Sequence, residues 1–268
     1  MSQRKMPVYF ISHGGGPWPW LEGRMRETHR ELEKSLVNLP RELPEKPKAI
    51  LMISGHWEED GFSIMSSQNP SLLYDYSGFP EHTYSVQYSA PGSPELATQV
   101  QSLLRTTGIS ARLDSKRGFD HGTFVPLAVS FPKADIPVIQ LSIRADYDPE
   151  IHIKVGHALE ALREEGVLII GSGLSFHNLD LLRQGGEKPS REFDTWLQDT
   201  LLSSSPEERS SRLLHWEQAP SARTAHPQAD HLLPLMVAVG AAGSDAGSLI
   251  YHDHHFFAGV TESSFRFG

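Results

Sequence analysis

Three short apolar runs constrain this chain more than anything else in it: residues 8–12, 49–54 and 167–170. Each is too short to stand as an isolated helix. None alternates apolar with polar residues, so each reads as a strand buried on both faces. A strand buried on both faces needs helices on both sides. The spacing predicts them over 24–39, 94–104, 149–165, 190–202 and 230–242. Ser93 before Pro94 and Asp148 before Pro149 supply start signals, and Gly166 a stop. Further strands are expected at 62–66, 136–143 and 248–257, with a loop at 203–208. The fold expected is therefore α/β: a central, mostly parallel or mixed sheet with helices on both faces. The 268 residues show no internal repeat, and the expectation is a single catalytic domain over 1–268. Residues 69–94 form a long irregular stretch, which inside a domain suggests a segment covering a site.

The apolar runs end alike. Ile11-Ser12-His13-Gly14 and Ser54-Gly55-His56-Trp57 place a His directly after a strand, and Gly171-Ser172-Gly173 has His177 just beyond. In open α/β sheets the carboxyl ends of the strands form the ligand crevice. Two more histidines sit at helix starts: Asp120-His121-Gly122, with Asp120 as cap of a helix over 123–131 or as partner of His121, and Asp230-His231, with His226-Pro227 nearby. The chain has 14 His and no Cys. Disulfides, thiolate nucleophiles and Cys-based zinc sites are excluded together, and a transition-metal site must be built from imidazole and carboxylate. His13, His56 and His231 are the best ligand candidates. His177 and His121 remain as acid–base groups, because imidazole titrates near working pH. One such histidine is ordinarily a loop or capping residue; five at element ends read as a site. Tyr74, Phe79, Tyr84 and Phe124 are candidates for lining an aromatic pocket; Trp57 either walls the site or anchors the strand end, and His226 is a structural or substrate-facing residue before it is a ligand. His252, His254 and His255 look like a metal tract, but a solvated strand edge accounts for them as well.

A net charge of −9 disfavours binding to nucleic-acid phosphates. No apolar run approaches a membrane span, and residues 1–5 lead too quickly into the first strand for a signal peptide, so a cytoplasmic enzyme is expected.

The ordered set of motifs resembles the class III extradiol ring-cleaving dioxygenases, in the branch of the DOPA 4,5-dioxygenases. The matching pieces are Phe10-Ile11-Ser12-His13-Gly14, Ser54-Gly55-His56-Trp57, Gly78-Phe79-Pro80, Ala90-Pro91-Gly92-Ser93-Pro94, Gly118-Phe119-Asp120-His121-Gly122, Pro137 to Ser142, Gly171-Ser172-Gly173 with His177-Asn178-Leu179, and His231-Leu232-Leu233-Pro234-Leu235. They span nearly the whole chain. The resemblance implies a non-haem metal: Fe(II) for activity, with Zn(II) in some members as isolated. It places His13, His56 and His231 at the ligand positions. His177 falls at the base, close enough to count as a fourth metal contact, and His121 is a second active-site His. Protocatechuate enzymes use a Glu as third ligand where this chain has His231, and His13-Gly14-Gly15-Gly16 replaces the branch's His-Gly-Ser-Pro. The partners implied are a catechol, DOPA-like or other, and O2; oligomeric state is left open.

Three rival readings remain. A serine hydrolase would use Gly173-Leu174-Ser175-Phe176-His177, which lacks the closing Gly of a nucleophile elbow. A zinc-dependent hydrolase would use the same histidines. A non-catalytic metal-binding protein would keep the scaffold alone.

Overall fold

A computed structural model describes residues 5–268. Eight strands form one sheet: β1 (Val8–Ser12), β2 (Ala49–Glu59), β3 (Phe62–Met65), β4 (Ala111–Asp114), β5 (Val138–Arg144), β6 (Val167–Gly173), β7 (Gly247–Phe256) and β8 (Val260–Phe267). Their order is β4-β3-β5-β2-β6-β1-β8-β7. The central four, β5-β2-β6-β1, are parallel. Antiparallel pairs join β3 to β5, β8 to β1 and β7 to β8, so the sheet is mixed.

Alternation along the central strands splits the core into two layers. Val8, Phe10, Leu51, Ile53, Ile139, Leu141 and Ile169 face one side, under the helices Pro94–Thr106, Pro149–Leu159, Glu187–Gln198 and Leu233–Ala242. Tyr9, Ile11, Ile50, Met52, Val138, Leu168 and Ile170 face the other, under Arg30–Asn38 and His121–Ser130. The apolar runs are therefore unbroken because both pleats are covered. The helix Leu233–Ala242 is buried along its whole length. Truncating one of its large side chains, such as Leu235→Ala, costs about 2–5 kcal/mol on that account.

The small residues at the end of β6 have a steric reason. A Cβ on Gly171 would lie 2.3 Å from the Pro234 carbonyl oxygen, and one on Gly173 would lie 2.0 Å from that of His231. Their absence lets the segment 231–234 press onto the carboxyl end of the sheet. Gly156 and Gly240 likewise let the helices Pro149–Leu159 and Leu233–Ala242 meet backbone to backbone.

Several elements differ from expectation. The helix over 24–39 breaks at His29 into Arg24–Thr28 and Arg30–Asn38, because His29 turns inward. Residues 206–214 form a helix, with Ser205 accepting from the Glu208 N–H, so the loop expected over 203–208 ends at Ser205. The strand Ala111–Asp114 was not foreseen; it is a half-exposed edge without an apolar pattern. The final strand is followed by β8, whose Thr261-Glu262-Ser263-Ser264 looks polar yet is buried. Its polar groups are satisfied by tertiary partners, which no local pattern reveals.

Candidate metal centre

β2 does not stop before His56. It continues to Glu59, with a register shift against β5 between Ile53 and Glu58. Such an irregularity re-aims a side chain, and here it lies at His56. His13 follows β1, and its backbone oxygen accepts from Trp18 Nε1. His121 opens the helix His121–Ser130, and His177 lies beyond β6. His231 sits in the segment pressed onto β6 by the glycine contacts above.

The structure brings these five imidazoles together. Ring centroids lie 4.8 Å apart for His13–His56, 5.1 Å for His13–His231, 4.7 Å for His56–His231 and 3.9 Å for His56–His121. His177 stacks on His231 at 3.4 Å. Ligand atoms of His13, His56 and His121 all lie within 4.8 Å of one another, as do those of His177, Asp230 and His231.

The Nδ1 atoms have outward partners. That of His13 donates to the Gly14 carbonyl at 2.8 Å. Asp75 accepts from His121 Nδ1 at 2.8 Å and lies 3.5 Å from His56 Nδ1. Asp230 accepts from His231 Nδ1 at 2.8 Å and lies 3.6 Å from His177 Nδ1. Outward Nδ1–H groups leave Nε2 lone pairs for the centre. His13 Nε2 is buried without a hydrogen-bond partner, and His56 Nε2 lies 3.2 Å from His231 Nε2. Two bare lone pairs at that distance repel unless a cation lies between them. Tetrahedral coordination at ordinary metal–nitrogen lengths sets adjacent nitrogens about 3.4 Å apart. The donor set therefore fits a divalent transition metal.

Electrostatics agree. Burial, then the neighbouring imidazoles, pushes His13 and His56 well below the usual histidine range. Burial lowers His231 to about 4, with His177 acting the same way. Neutral imidazole is the form that binds metal. Burial pushes the Asp230 carboxyl up, but His177 and His231 outweigh it and hold it well below the usual carboxylate range. Asp75 is lowered in the same manner, with its hydrogen bond from His121 outweighing burial.

Asp120 neither orients His121 nor caps the helix with its side chain. It is wholly buried and bonds Ser54 Oγ at 2.8 Å, Arg117 at 3.0 Å and the Gln140 amide. Burial, then Asp75, raises its carboxyl. The partner of His121 is Asp75, which the sequence reading missed although it lies in the irregular stretch, between Tyr74 and Tyr76. His226 does not face a substrate. It is fully buried, and its Nε2–H donates to the Ser175 carbonyl at 2.9 Å. Trp57 lies on the opposite pleat from His56; its ring packs under Arg117 at 5.0 Å and its N–H bonds Glu59. It anchors the strand end and does not wall the imidazole cluster.

Phe79, Tyr84 and Phe124 do gather, through a residue the sequence reading omitted. Tyr76 touches all three, at 5.6, 5.3 and 6.4 Å between centroids, and reaches His121 at 5.8 Å. Beside them a groove lined by Trp20, Met25, Phe79 and His82 opens to solvent.

A further residue was illegible in sequence. Glu262, fully buried on β8, accepts from the N–H of Ser175 at 3.1 Å, its hydroxyl at 3.1 Å and the N–H of Phe176 at 3.0 Å. Burial pushes its carboxyl well above the usual range despite these donors. With His226 it clamps the strap that carries His177. The same bonds engage Ser175 away from His177, which removes the nucleophile the serine-hydrolase reading needs.

A mixed α/β sheet with neutral imidazoles converging at its strand ends is the frame of a non-haem metal enzyme. Residues 7–268 match the catalytic LigB subunit of aromatic ring-opening dioxygenase, and the chain belongs to that family. It is an extradiol dioxygenase of the ring-opening kind. A 4,5-DOPA dioxygenase extradiol of Beta vulgaris is 40% identical, over 97% of this chain and 96% of that one. One from Portulaca grandiflora is 44% identical over 79% and 80%. The crystal structure of an uncharacterized Escherichia coli K12 protein superposes with a TM-score of 0.78 at 29% identity, covering 98% of this chain and all of that one.

Proposed function

We propose that this chain, as a single catalytic domain, opens the ring of a DOPA-like catechol with O2, using Fe(II) held by His13, His56 and His231. Zn(II) suits the same imidazoles and is expected in protein isolated without iron. The observation that carries the ligand set is the convergence of the His13, His56 and His231 rings. His56 and His231 bring their Nε2 atoms to 3.2 Å, and His13 Nε2 is buried and unpartnered. His121 shares His13 and His56 in an alternative triad. We prefer His231 because of that close nitrogen pair.

The metal, when bound, supplies a Lewis-acidic, redox-active centre at which a catechol and O2 meet. The protein's own groups do the proton work. His177, stacked beside His231 and backed by Asp230, takes a catechol hydroxyl proton; the carboxylate stabilises the imidazolium that results. His121, with Nδ1 tied to Asp75, presents Nε2 on the other side as the second acid–base group. Should His177 also touch the metal, it does so as a fourth ligand. Tyr76, Phe79, Tyr84 and Phe124 offer ring edges and faces to an aromatic substrate. Both oxygen atoms enter the product, so no nucleotide reductant is needed. Among the described residues no helix is long and apolar enough to cross a membrane. A net charge of −9 suits an enzyme acting on small molecules and not on nucleic acid; a cytoplasmic location is part of the proposal.

The test is anaerobic loading with Fe(II), then oxygen uptake across a panel of catechols with and without an amino-acid side chain. Uptake with a yellow ring-opened product, strongest for DOPA-like catechols, is expected. Metal uptake without oxygen consumption on any catechol would leave the zinc-hydrolase or binding-protein reading in its place.

A further inference from the structure

A second pair of imidazoles repeats the signature of the main centre at a different place in the fold. On β7, His252 and His254 are two residues apart and so share one face of the strand. Their Nε2 atoms lie 3.0 Å apart. The protons around them can be assigned. Asp194, nearly buried on the helix Glu187–Gln198, accepts from the Ser263 hydroxyl at 2.5 Å and from the Gln198 amide at 2.7 Å. Having given its proton to Asp194, Ser263 Oγ can only accept from His252 Nδ1, 2.9 Å away; the Gln198 amide nitrogen lies farther from that atom, at 3.3 Å, and spends its shorter bond on Asp194. His252 therefore carries its proton on Nδ1 and a bare lone pair on Nε2, aimed at His254. The relay of carboxylate, hydroxyl and imidazole holds a metal-ready tautomer. His254 Nδ1 lies 3.2 Å from Thr261 Oγ1, a hydroxyl that can accept from Nδ1–H or donate to a bare Nδ1. His254 can therefore turn its own Nε2 lone pair inward without losing its partner. His254 is exposed and His252 half-buried, so water can fill the remaining positions.

We propose that His252 and His254 form a second transition-metal site, separate from the catalytic centre, that takes a late first-row divalent cation. Nitrogens 3.0 Å apart at ordinary metal–nitrogen lengths subtend about 90°, the angle of square-planar or octahedral coordination. That geometry, with the ordering of divalent affinities, favours Cu(II) over Zn(II). The site rests on the hairpin and on Asp194 behind it, and does not depend on the reaction proposed above.

The experiment uses tag-free full-length protein whose catalytic centre is first filled with Zn(II) and freed of excess. Titration with Cu(II), followed calorimetrically and by electron paramagnetic resonance with released zinc measured alongside, should show one equivalent of copper bound through two imidazole nitrogens without loss of zinc. His254→Gln should weaken that equivalent at least tenfold and leave the zinc content unchanged. His255→Gln, at an exposed neighbour, should leave both unchanged. Undiminished Cu(II) binding in His254→Gln, or no extra equivalent in the parent protein, would overturn the site and leave the pair as a histidine–histidine hydrogen bond.

Discussion

The imidazole centre has two halves built on one plan and supported differently. In one, Asp75 holds His121 and lies beside His56; in the other, Asp230 holds His231 and lies beside His177. Asp75 comes from the irregular stretch before the helix Pro94–Thr106, and its neighbours are the tyrosines of the aromatic cluster. Asp230 comes from a segment pressed onto β6. The strap opposite it is fixed by Glu262, by His226 and by the bond from the His177 N–H to the Ala225 carbonyl. One half stands against the aromatic cluster; the other is fixed from behind by buried hydrogen bonds. A ring-contacting half and a braced half divide recognition from the support of a proton-transfer group.

The largest effects should break this division if it is wrong. His13→Ala and His56→Ala should abolish metal binding. His177→Ala should keep the metal and lose turnover by about 1000-fold, within the range for a general base. Metal analysis beside oxygen uptake decides it, and equal metal loss in all three would make His177 a ligand. His231→Ala should lose metal and His121→Ala should not; the reverse exchanges their roles.

A smaller effect tests the locked half by acid. Burial lowers His226 to about 3 in the folded protein, below its ordinary value near 6.5. A histidine lowered on folding stabilises above its unfolded pKa and loses that stability as pH falls. Between pH 6.5 and 4 this group should remove about 3 kcal/mol. Urea midpoints for the parent and His226→Gln should diverge in slope over that window; parallel curves would mean that His226 is not buried neutral.

Next come the two carboxylates. Asp230→Asn should weaken metal binding about 10- to 100-fold, the usual cost of losing a group that orients a ligand. Asp75→Asn should affect turnover more than metal, because its closest partner is His121. Identical profiles for the two would erase the distinction between the halves. Glu262→Gln should lower kcat by about tenfold with metal content intact, since an amide nitrogen cannot accept from the strap's N–H groups. Tyr76→Leu should be smallest, raising KM for a catechol several-fold through lost ring contact.

Much of this was legible before the fold was known. The apolar runs announced buried strands, and the Ser/Gly-His endings marked where a crevice would form. A strand's carboxyl end is a local feature, so its histidines can be read from spacing alone. Asp75 was hidden because nothing local distinguishes it from any loop acid, and Asp120 drew the role away by standing next to His121 in sequence. Of the two roles open to His226, structural or substrate-facing, its closeness to His231 along the chain could not choose; burial behind the strap makes it structural.

The sequence by itself determined the central strands of the sheet, their two-sided cover and the five histidines as candidates, because periodicity and element ends act over a few residues. Only the tertiary structure decided which carboxylate holds which ring, and that a buried Glu262 fastens the strap of His177. Those choices depend on segments tens to hundreds of residues apart meeting in space, and hydrogen bonds carry no trace of their distant partner in the local pattern.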